Sequence, residues 1–558
     1  MRQYTLLLLT ASMLIFSACD DVFDTDSTSV VVDKGERIEN PADTLYSVMG
    51  ILSQFQKLGE RYVVLGEVRG DLMTVTSDAL KDLQDVANFN VERDNGYADQ
   101  MDYYAVINNC NYALERMDTT ILDYQTKVML PEYVAIKSIR DWTYWQMALT
   151  FGEVRFVEKP LMSLEATLKD YPTKGIDEMA QMLIDDLTPY LSIRSLDYGS
   201  VDGVYTASLF VPLQPFLADL HLYLNHYEEA ATLYYDYINR RHLTISRGYL
   251  NEWTVSTRTE ATMNHPGSYT GEMLFEMAYS SDARDYHPQL VRLSYNTVPS
   301  LLPSQSFVDA MTQRMYFYTQ SGNNNISAYL QGDLRGYALT RSGTSLPSSY
   351  GLIQSNDYHG LLINKYMQAA QQTSSGYDPQ NKAFSTLRFT RYIPLLRTPH
   401  LYLRLAEALN RLGKPSVAFA VLKHGLTTEV LSDTTKVMPW ELNGEPYVNF
   451  SWSHTNGENE NVGTASRGLG RGVTTDKEHY VIGEQESLAD SILAVEDMIV
   501  EEMASETCFE GNRFFDLLRV ARHRGAFPSY MAQMVSRRFS DPDATYTRLN
   551  RPDIWWIH

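Results

Sequence analysis

Hydrophobic residues recur every three or four positions along much of the chain, and this spacing predicts amphipathic helices. The pattern is regular in six stretches: residues 103–117, 132–149, 179–190, 213–238, 400–426 and 488–521. The sequence therefore predicts an all-α fold in which these helices carry the core.

Two of the stretches share an internal pattern of small residues. The first reads FLADLHLYLNHYEEAATLYYDYI and the second reads YLRLAEALNRLGKPSVAFAVLKHGL. Ala218 and Ala230 in the first, and Ala406 and Ala418 in the second, stand where the two helices of a hairpin would touch. This arrangement is similar to the paired helices of tetratricopeptide repeats, which stack into helical scaffolds. We therefore predict a scaffold of tetratricopeptide-like hairpins.

Long segments rich in Gly, Ser, Asn and Pro separate the helical stretches. They cover residues 280–306, 320–357 and 443–475. Loops of this length in a compact protein usually have a function. Because no linker divides the chain, we predict a single domain over residues 41–558 with the ligand surface among these loops.

The first residues have the pattern of an export signal. Arg2 precedes an apolar run that ends in Ser17 and Ala18, directly before Cys19. A charged start, an apolar run and small residues are typical of a signal peptide, and the run is shorter than the about 20 residues that cross a bilayer. A leader that ends this way before a cysteine resembles a bacterial lipobox. We predict a signal peptide over residues 1–18 and lipidation, such as palmitate, at Cys19, with an ordinary secretory leader as the alternative.

An acidic segment follows Cys19. Four aspartates lie between residues 20 and 26, and Ser, Thr and Val continue the segment. Because it cannot bury much apolar surface, residues 19–40 are predicted to form a lipid-anchored tether. An acidic stretch after a lipidated cysteine resembles the surface-export signal of Bacteroidetes lipoproteins, and a merely solvated linker is the alternative.

Charge and motifs exclude several function classes. The formal net charge of −22 repels phosphate backbones, so nucleic acid is not an expected partner. The sequence has no His-Glu-x-x-His, no Gly-x-Ser-x-Gly and no Walker loop, and its 12 His are scattered. We predict no enzyme activity, no cofactor and no metal, although a glycosidase-type carboxylate pair stays open. Cys110 and Cys508 form either a disulfide or two separate buried thiols.

The segment EEMASETCFEGNRFFDLLRVARHRG resembles the C-terminal signature of the SusD/RagB family of Bacteroidetes lipoproteins. It departs from the family pattern at Met503 and Phe514, where Arg and Trp are usual. Glu510 with Arg513, and Asp516 with Arg519, are spaced to pair across one helical turn, so we interpret the motif as structural. The matching residues are Glu502, Glu506, Phe509, Glu510, Gly511, Arg513, Phe514, Phe515, Asp516, Leu517 and Arg519.

Other segments extend the resemblance over most of the chain. They are GEVRGDL, YYAVINNCNYALERMD, AIKSIRDWTYWQMALTFGEVRF, LPSQSFVDAM and IPLLRTPHLYLRLAEALNRLG, in family order. The resemblance implies a helical protein on the outer face of the outer membrane. Such proteins bind glycans, or in some members peptides, without catalysis, and act as the lid of a SusC-like TonB-dependent outer-membrane transporter.

The resemblance also implies where a ligand would bind, namely in the loop after GEVRGDL and in loops near the middle of the chain. Aromatic faces and polar side chains in these loops suit sugar rings, and Trp452 in the third long loop is a weaker candidate. The candidate ligand-binding residues are Asp71, Asn88, Phe89, Asn90, Tyr97, Tyr279, Arg284, Tyr286 and Tyr295.

Glycan capture is the favoured function. Peptide capture of the RagB type is a second hypothesis, since amide-rich and charged loops suit peptides equally well. A helical-repeat scaffold for envelope assembly is a third, and it predicts a concave face with few loops.

Overall fold

The structure is a computed structural model. It describes residues 41–201, 204–246, 272–280, 284–320, 326–339, 351–355, 358–366, 390, 392–443, 445–457, 460–469 and 480–558. The predicted signal peptide, the tether and Cys19 lie outside these residues, as do parts of the three long loops.

Helices make up most of the described chain, which confirms the all-α prediction. In chain order they are α1 (Pro41–Phe55), α2 (Leu58–Glu67), α3 (Lys81–Asn88), α4 (Met101–Arg116), α5 (Leu130–Phe151), α6 (Leu164–Leu168), α7 (Ile176–Leu187), α8 (Leu213–Tyr223), α9 (Tyr227–Arg241), α10 (Leu290–Ser294), α11 (Gln305–Thr312), α12 (Thr398–Arg411), α13 (Pro415–Lys423), α14 (Thr428–Ser432), α15 (Ser466–Leu469), α16 (Leu488–Glu506), α17 (Arg513–His523), α18 (Ser529–Ser536) and α19 (Pro542–Leu549).

The two predicted hairpins are confirmed. Helices α8 and α9 form one and helices α12 and α13 form the other, and they pack on each other. The four small residues Ala218, Ala230, Ala406 and Ala418 are completely buried where helices meet. Arg404 of α12 donates to Asp219 of α8 at 2.7 Å, which joins the two hairpins. The scaffold is therefore tetratricopeptide-like.

Short antiparallel strand pairs connect distant parts of the helical scaffold. The pairs are β1 (Met73–Val75) with β9 (Leu301–Pro303), β2 (Leu122–Asp123) with β3 (Thr126–Lys127), β4 (Glu153–Arg155) with β5 (Thr173–Gly175), β6 (Ser200–Val201) with β7 (Val204–Tyr205), β8 (Met273–Ala278) with β14 (Tyr392–Arg397), β10 (Met315–Gln320) with β11 (Ile326–Gln331), and β12 (Leu352–Ser355) with β13 (Gly360–Ile363). The first long loop, 280–306, thus contains α10 and β9 rather than only irregular chain.

The C-terminal signature confirms one predicted ion pair and corrects the other. Asp516 and Arg519 of α17 pair at 2.8 Å, as their spacing predicts. Glu510 and Arg513 do not pair, because Gly511 has a φ of 89° and the helix begins only at Arg513. A spacing of three places side chains on one face only within a continuous helix.

Glu510 instead belongs to a buried charge network. It accepts hydrogen bonds from Arg397 at 2.7 Å and lies 2.5 Å from Lys365. Burial alone would raise the pKa of Glu510, but Arg397 and Lys365 lower it to about 2. The carboxylate therefore stays ionised inside the protein.

Two further arginines complete this network. Arg467 donates to Glu506 at 2.8 Å, and Arg335 donates to the same carboxylate at 3.1 Å and to Asp333 at 2.8 Å. All of these side chains are almost completely buried. Segments that lie far apart in sequence are thereby held around one set of charges.

Cys110 and Cys508 are buried and unpaired, so they are two separate thiols. No helix in the described part of the chain has the length and apolar character needed to cross a bilayer. Over the same residues, no group of three His, Cys, Asp or Glu side chains is arranged to hold a metal ion.

Candidate functional site

The loop after GEVRGDL and the first long loop are joined by the β1–β9 pair. Met73 faces Pro303 and Val75 faces Leu301 in its register. Ser304 extends the connection, since its N–H donates to Leu72 O at 2.8 Å and its hydroxyl donates to Asp71 O at 2.6 Å. Two segments about 230 residues apart, which carry most of the candidate ligand residues, are therefore neighbours.

Three of the candidate residues lie close enough to Glu60 of α2 for its charge to act on them. Burial, with the charge of Glu60 adding to it, raises the pKa of Tyr286 to about 12 and also raises the pKa of Tyr97. The pKa of Tyr279 is also raised, mainly by burial and further by the neighbouring Tyr286 and Glu60. The ring centroids of Tyr279 and Tyr286 are 6.2 Å apart. We call Glu60, Tyr97, Tyr279 and Tyr286 the tyrosine cluster.

The tyrosines of the cluster differ in exposure. Tyr286 is 49% exposed, Tyr97 is half-buried and Tyr279 is 3% exposed. The hydroxyl of Tyr279 donates to Gln56 O at 2.9 Å, which fixes the buried ring. Tyr286 therefore offers its ring to solvent while Tyr279 supports it from below.

Backbone contacts hold the rest of the cluster in place. Glu60 accepts the N–H of Gln289 at 2.6 Å, so the carboxyl group is tied to the mid-chain loop. Burial raises the pKa of Glu60 above its ordinary value. Arg61 donates to Gly96 O at 2.9 Å and to Asp99 O at 2.6 Å, which fixes the turn that carries Tyr97.

Asp71 lies elsewhere, in a buried pair with Arg513. Its two carboxylate oxygens accept from the guanidinium at 2.5 and 2.9 Å. The pair forms part of the wall of a 460 Å³ groove between α11, α16 and α18. Asp71 therefore connects the first loop to the C-terminal signature.

Asn88, Phe89 and Asn90 lie next to the C-terminal helices. The Phe89 ring meets Trp555 edge-on with centroids 4.8 Å apart, and Arg548 donates to Asn88 O at 2.7 Å. Asn88 and Asn90 are exposed. These contacts place Asn88 and Phe89 against the C-terminal segment that carries Arg548 and Trp555.

The remaining candidates are spread over the surface. Arg284 is exposed, and Tyr295 is half-buried against the core at the end of α10. Trp452 donates to the Asn239 side chain at 2.8 Å and stacks on His242 with centroids 4.6 Å apart, at the end of α9. As ligand contacts, all of these residues stay predictions.

Glu60, Arg61 and Gln289 were not identified from the sequence. The only signal was a charged pair, Glu60 and Arg61, directly before the apolar run YVVL in α2. Chemically, an exposed aromatic face beside a carboxyl acceptor suits a ring that carries hydroxyl groups, because such a ring has one apolar face and a polar edge.

Comparisons with known proteins agree with this architecture. No family model matches the chain. The SusD-like protein P38 of Formosa agariphila is 22% identical over 432 residues, which cover 74% of this chain and 79% of that protein.

Solved structures share the fold at low sequence identity. A SusD superfamily protein from Bacteroides vulgatus matches with a TM-score of 0.57 and 14% identity over 93% of this chain and 95% of its own. One from Bacteroides thetaiotaomicron matches with a TM-score of 0.56 and 16% identity over 92% and 99%. The surface glycan-binding protein A of Bacteroides uniformis matches with a TM-score of 0.56 and 14% identity over 92% and 95%.

The fold is that of the SusD superfamily. The resemblance seen in the sequence is confirmed: the chain has this fold, and its sequence is similar to that of a SusD-like relative.

Proposed function

We propose that this protein captures glycans at the cell surface by binding them, without catalysis. The observation that carries the proposal is the exposed ring of Tyr286, whose centroid is 6.2 Å from that of the buried Tyr279, in the same loop whose Gln289 N–H donates to Glu60. The SusD-like relative and the glycan-binding protein of the same fold support it.

In this proposal each member of the tyrosine cluster has a distinct role. The exposed ring of Tyr286 packs against the apolar face of a sugar ring, and Tyr97 borders it. Glu60 accepts a hydrogen bond from a sugar hydroxyl, since the N–H of Gln289 occupies one of its oxygens and the other has acceptor capacity left. Tyr279 supports the site from below and does not contact the ligand.

The cellular setting is part of the same proposal. Lipidation at Cys19 anchors the protein to the outer face of the outer membrane through the acidic tether. There it acts as the lid of a SusC-like TonB-dependent transporter, to which it delivers the captured glycan.

The test is calorimetric titration of a chain that begins after Cys19 against plant, host and microbial polysaccharides and a peptide digest. We expect heat of binding with one polysaccharide, which is recovered intact. Tyr286→Ala is expected to weaken binding about tenfold, since one aromatic contact contributes roughly 1.5 kcal/mol. Tyr46→Ala is the matched control, because Tyr46 is exposed on α1 and outside the cluster.

Glycan shortening during the titration would contradict a purely binding role. Heat from the peptide digest alone would replace glycan capture by peptide capture. If neither Tyr286→Ala nor Glu60→Gln changes the affinity, the ligand binds outside the tyrosine cluster.

A further inference from the structure

A second pocket lies on a different part of the helical scaffold. It has a volume of 160 Å³ and is formed by the first half of α5, the end of α9, the start of β8 and the chain around residues 193–213. It shares no lining residue with the tyrosine cluster. It is therefore a separate site from the tyrosine cluster.

The walls of this pocket are mostly apolar. Val134, Phe210, Val211, Leu213 and Leu274 are among the side chains that line it. The volume is smaller than the about 300–1,000 Å³ of pockets for drug-sized ligands. The space suits a single ring or a short chain.

One polar group inside the pocket lacks a partner. Ser138 of α5 is 1% exposed, and its hydroxyl has no hydrogen-bond partner among the described residues. A buried hydroxyl without a partner costs about 1–3 kcal/mol. A polar ligand atom that reaches Ser138 would remove this cost.

The charged side chains that line the pocket are both arginines. They are Arg194 and Arg241, and no carboxylate is among the described residues that line it. Arg241 stacks over Tyr237 at 4.5 Å from the ring centroid. Neither guanidinium forms a salt bridge with any residue that the structure describes.

Two acidic residues are near the pocket without lining it. Glu276 accepts a hydrogen bond from Ser208 at 2.7 Å, and Arg194 lowers the pKa of Glu132, which burial raises more strongly. A cationic pocket is unusual in a chain with a net charge of −22. Because both charged side chains that line it are cationic, the pocket itself favours an anion.

We propose that this pocket binds a small organic carboxylate with an apolar body of one ring or a short chain. The carboxylate pairs with Arg194 and Arg241, because guanidinium groups match carboxylates in geometry and charge. The body lies against the apolar wall, and a hydroxyl substituent at its far end hydrogen-bonds to Ser138.

The test uses benzoate, 4-hydroxybenzoate and uncharged benzamide as probes of the same chain that begins after Cys19. Calorimetry is expected to show one site that prefers benzoate to benzamide and 4-hydroxybenzoate to benzoate. Arg194→Gln with Arg241→Gln should weaken benzoate binding about tenfold or more, since charge-assisted hydrogen bonds contribute about 1.5–3 kcal/mol. Ser138→Ala should abolish only the preference for the hydroxylated probe.

The matched control is Arg155→Gln. Arg155 is an exposed arginine on β4, and its substitution should leave benzoate binding unchanged. Equal binding of benzamide and benzoate, insensitivity to the double arginine substitution, or no binding of any probe would each overturn the proposal. Because both pocket arginines are exposed, the double variant is expected to fold, and its thermal midpoint checks this.

Discussion

Asp71 and Arg513 illustrate how single residues join the predicted ligand loop to the C-terminal signature. Their side chains are 9% and 4% exposed and form two hydrogen bonds. Asp71→Asn leaves the guanidinium without its charge partner, so we expect a loss of about 3–5 kcal/mol in the free energy of unfolding. Urea unfolding at neutral pH measures this loss.

The matched control for that substitution is Asp553→Asn. Asp553 pairs with Arg551, and both side chains are about 60% exposed. Exposed pairs contribute about 0–1 kcal/mol, so the unfolding midpoint should barely move. Similar losses in the two variants would contradict the role given to burial.

Glu67 carries a second prediction at the residue scale. It is completely buried, and burial raises its pKa to about 8 even though it accepts the Gly511 N–H at 2.8 Å. The folded protein therefore holds a proton on Glu67 that the unfolded chain releases near pH 4.5. Between pH 4.5 and about pH 8, Glu67 therefore lowers the free energy of unfolding as pH rises. The decrease is at most about 1.4 kcal/mol per pH unit.

Glu67→Gln removes this titration and keeps an acceptor for Gly511. The variant should gain stability relative to the parent as pH rises from 5 to 8, with little difference at pH 5. Urea unfolding of both chains at several pH values gives the comparison. A difference that is constant with pH would show that Glu67 does not titrate in this range.

Sequence reasoning reached some residues of the site and missed others for physical reasons. Tyr97, Tyr279 and Tyr286 were found because aromatic residues in loops suit ligands. Glu60 was missed because its hydrogen-bond partner Gln289 lies in a strand-linked loop more than 200 residues away. Spacing along a helix predicts only local neighbours, as with Asp516 and Arg519.

At the scale of elements, the two hairpins close with turns of the same conformation and different residues. The α8–α9 turn has Asn225 at φ 66°, and the α12–α13 turn has Gly413 at φ 78°. Both angles lie in the left-handed region, which Gly adopts freely and Asn adopts at a lower cost than Ala. The turns, like the helices beside them, follow from local sequence.

Gly413→Ala should therefore destabilise the protein by about 1 kcal/mol. The cost comes from the backbone, since a side chain at this position meets its first neighbour, Leu488, only at 4.0 Å. Gly413→Asn should cost less, in line with the residue used at Asn225. Thermal or urea unfolding of the two variants checks the order, and equal losses would point to steric contact instead.

The hairpins were predictable because the apolar and small residues that define each hairpin lie within about 25 positions of one another in the sequence. The strand pairs were not, because β1 and β9 have three residues each and lie more than 200 positions apart. Helix boundaries near residues 507–512 were also missed, since the left-handed Phe509 and Gly511 interrupt an otherwise continuous apolar pattern.

At the scale of the whole molecule, the buried charge network predicts the response to acid. Burial raises the pKa values of Glu506, Asp333 and Glu510, but the surrounding arginines outweigh it and lower all three. A carboxyl group whose pKa is lowered by folding stabilises the folded protein. The full stabilisation is present at any pH above the ordinary pKa of the group, which is near 4 to 4.5. This stability is lost as pH falls toward about 2, by at most about 1.4 kcal/mol per unit for each group.

We therefore expect the urea midpoint to fall steeply between pH 5 and pH 3. Glu510→Gln should destabilise the protein at pH 7 and reduce the steepness of that fall, because one titrating group is gone. Circular dichroism over the pH range gives both quantities. A midpoint that stays level between pH 5 and pH 3 would show that the network is not ionised as described.

The position of the network's charges along the chain has a consequence for biosynthesis. Arg335, Arg397 and Arg467 leave the ribosome well before Glu502, Glu506 and Glu510, which lie in the last 60 residues. Until those residues emerge, Asp333 and Glu272 are the carboxylates in the described part of the chain that pair with these guanidinium groups. A chain that stops at residue 500 lacks these three carboxylates and would leave buried guanidinium groups without their partners, so we expect it to be degraded by proteases instead of folding.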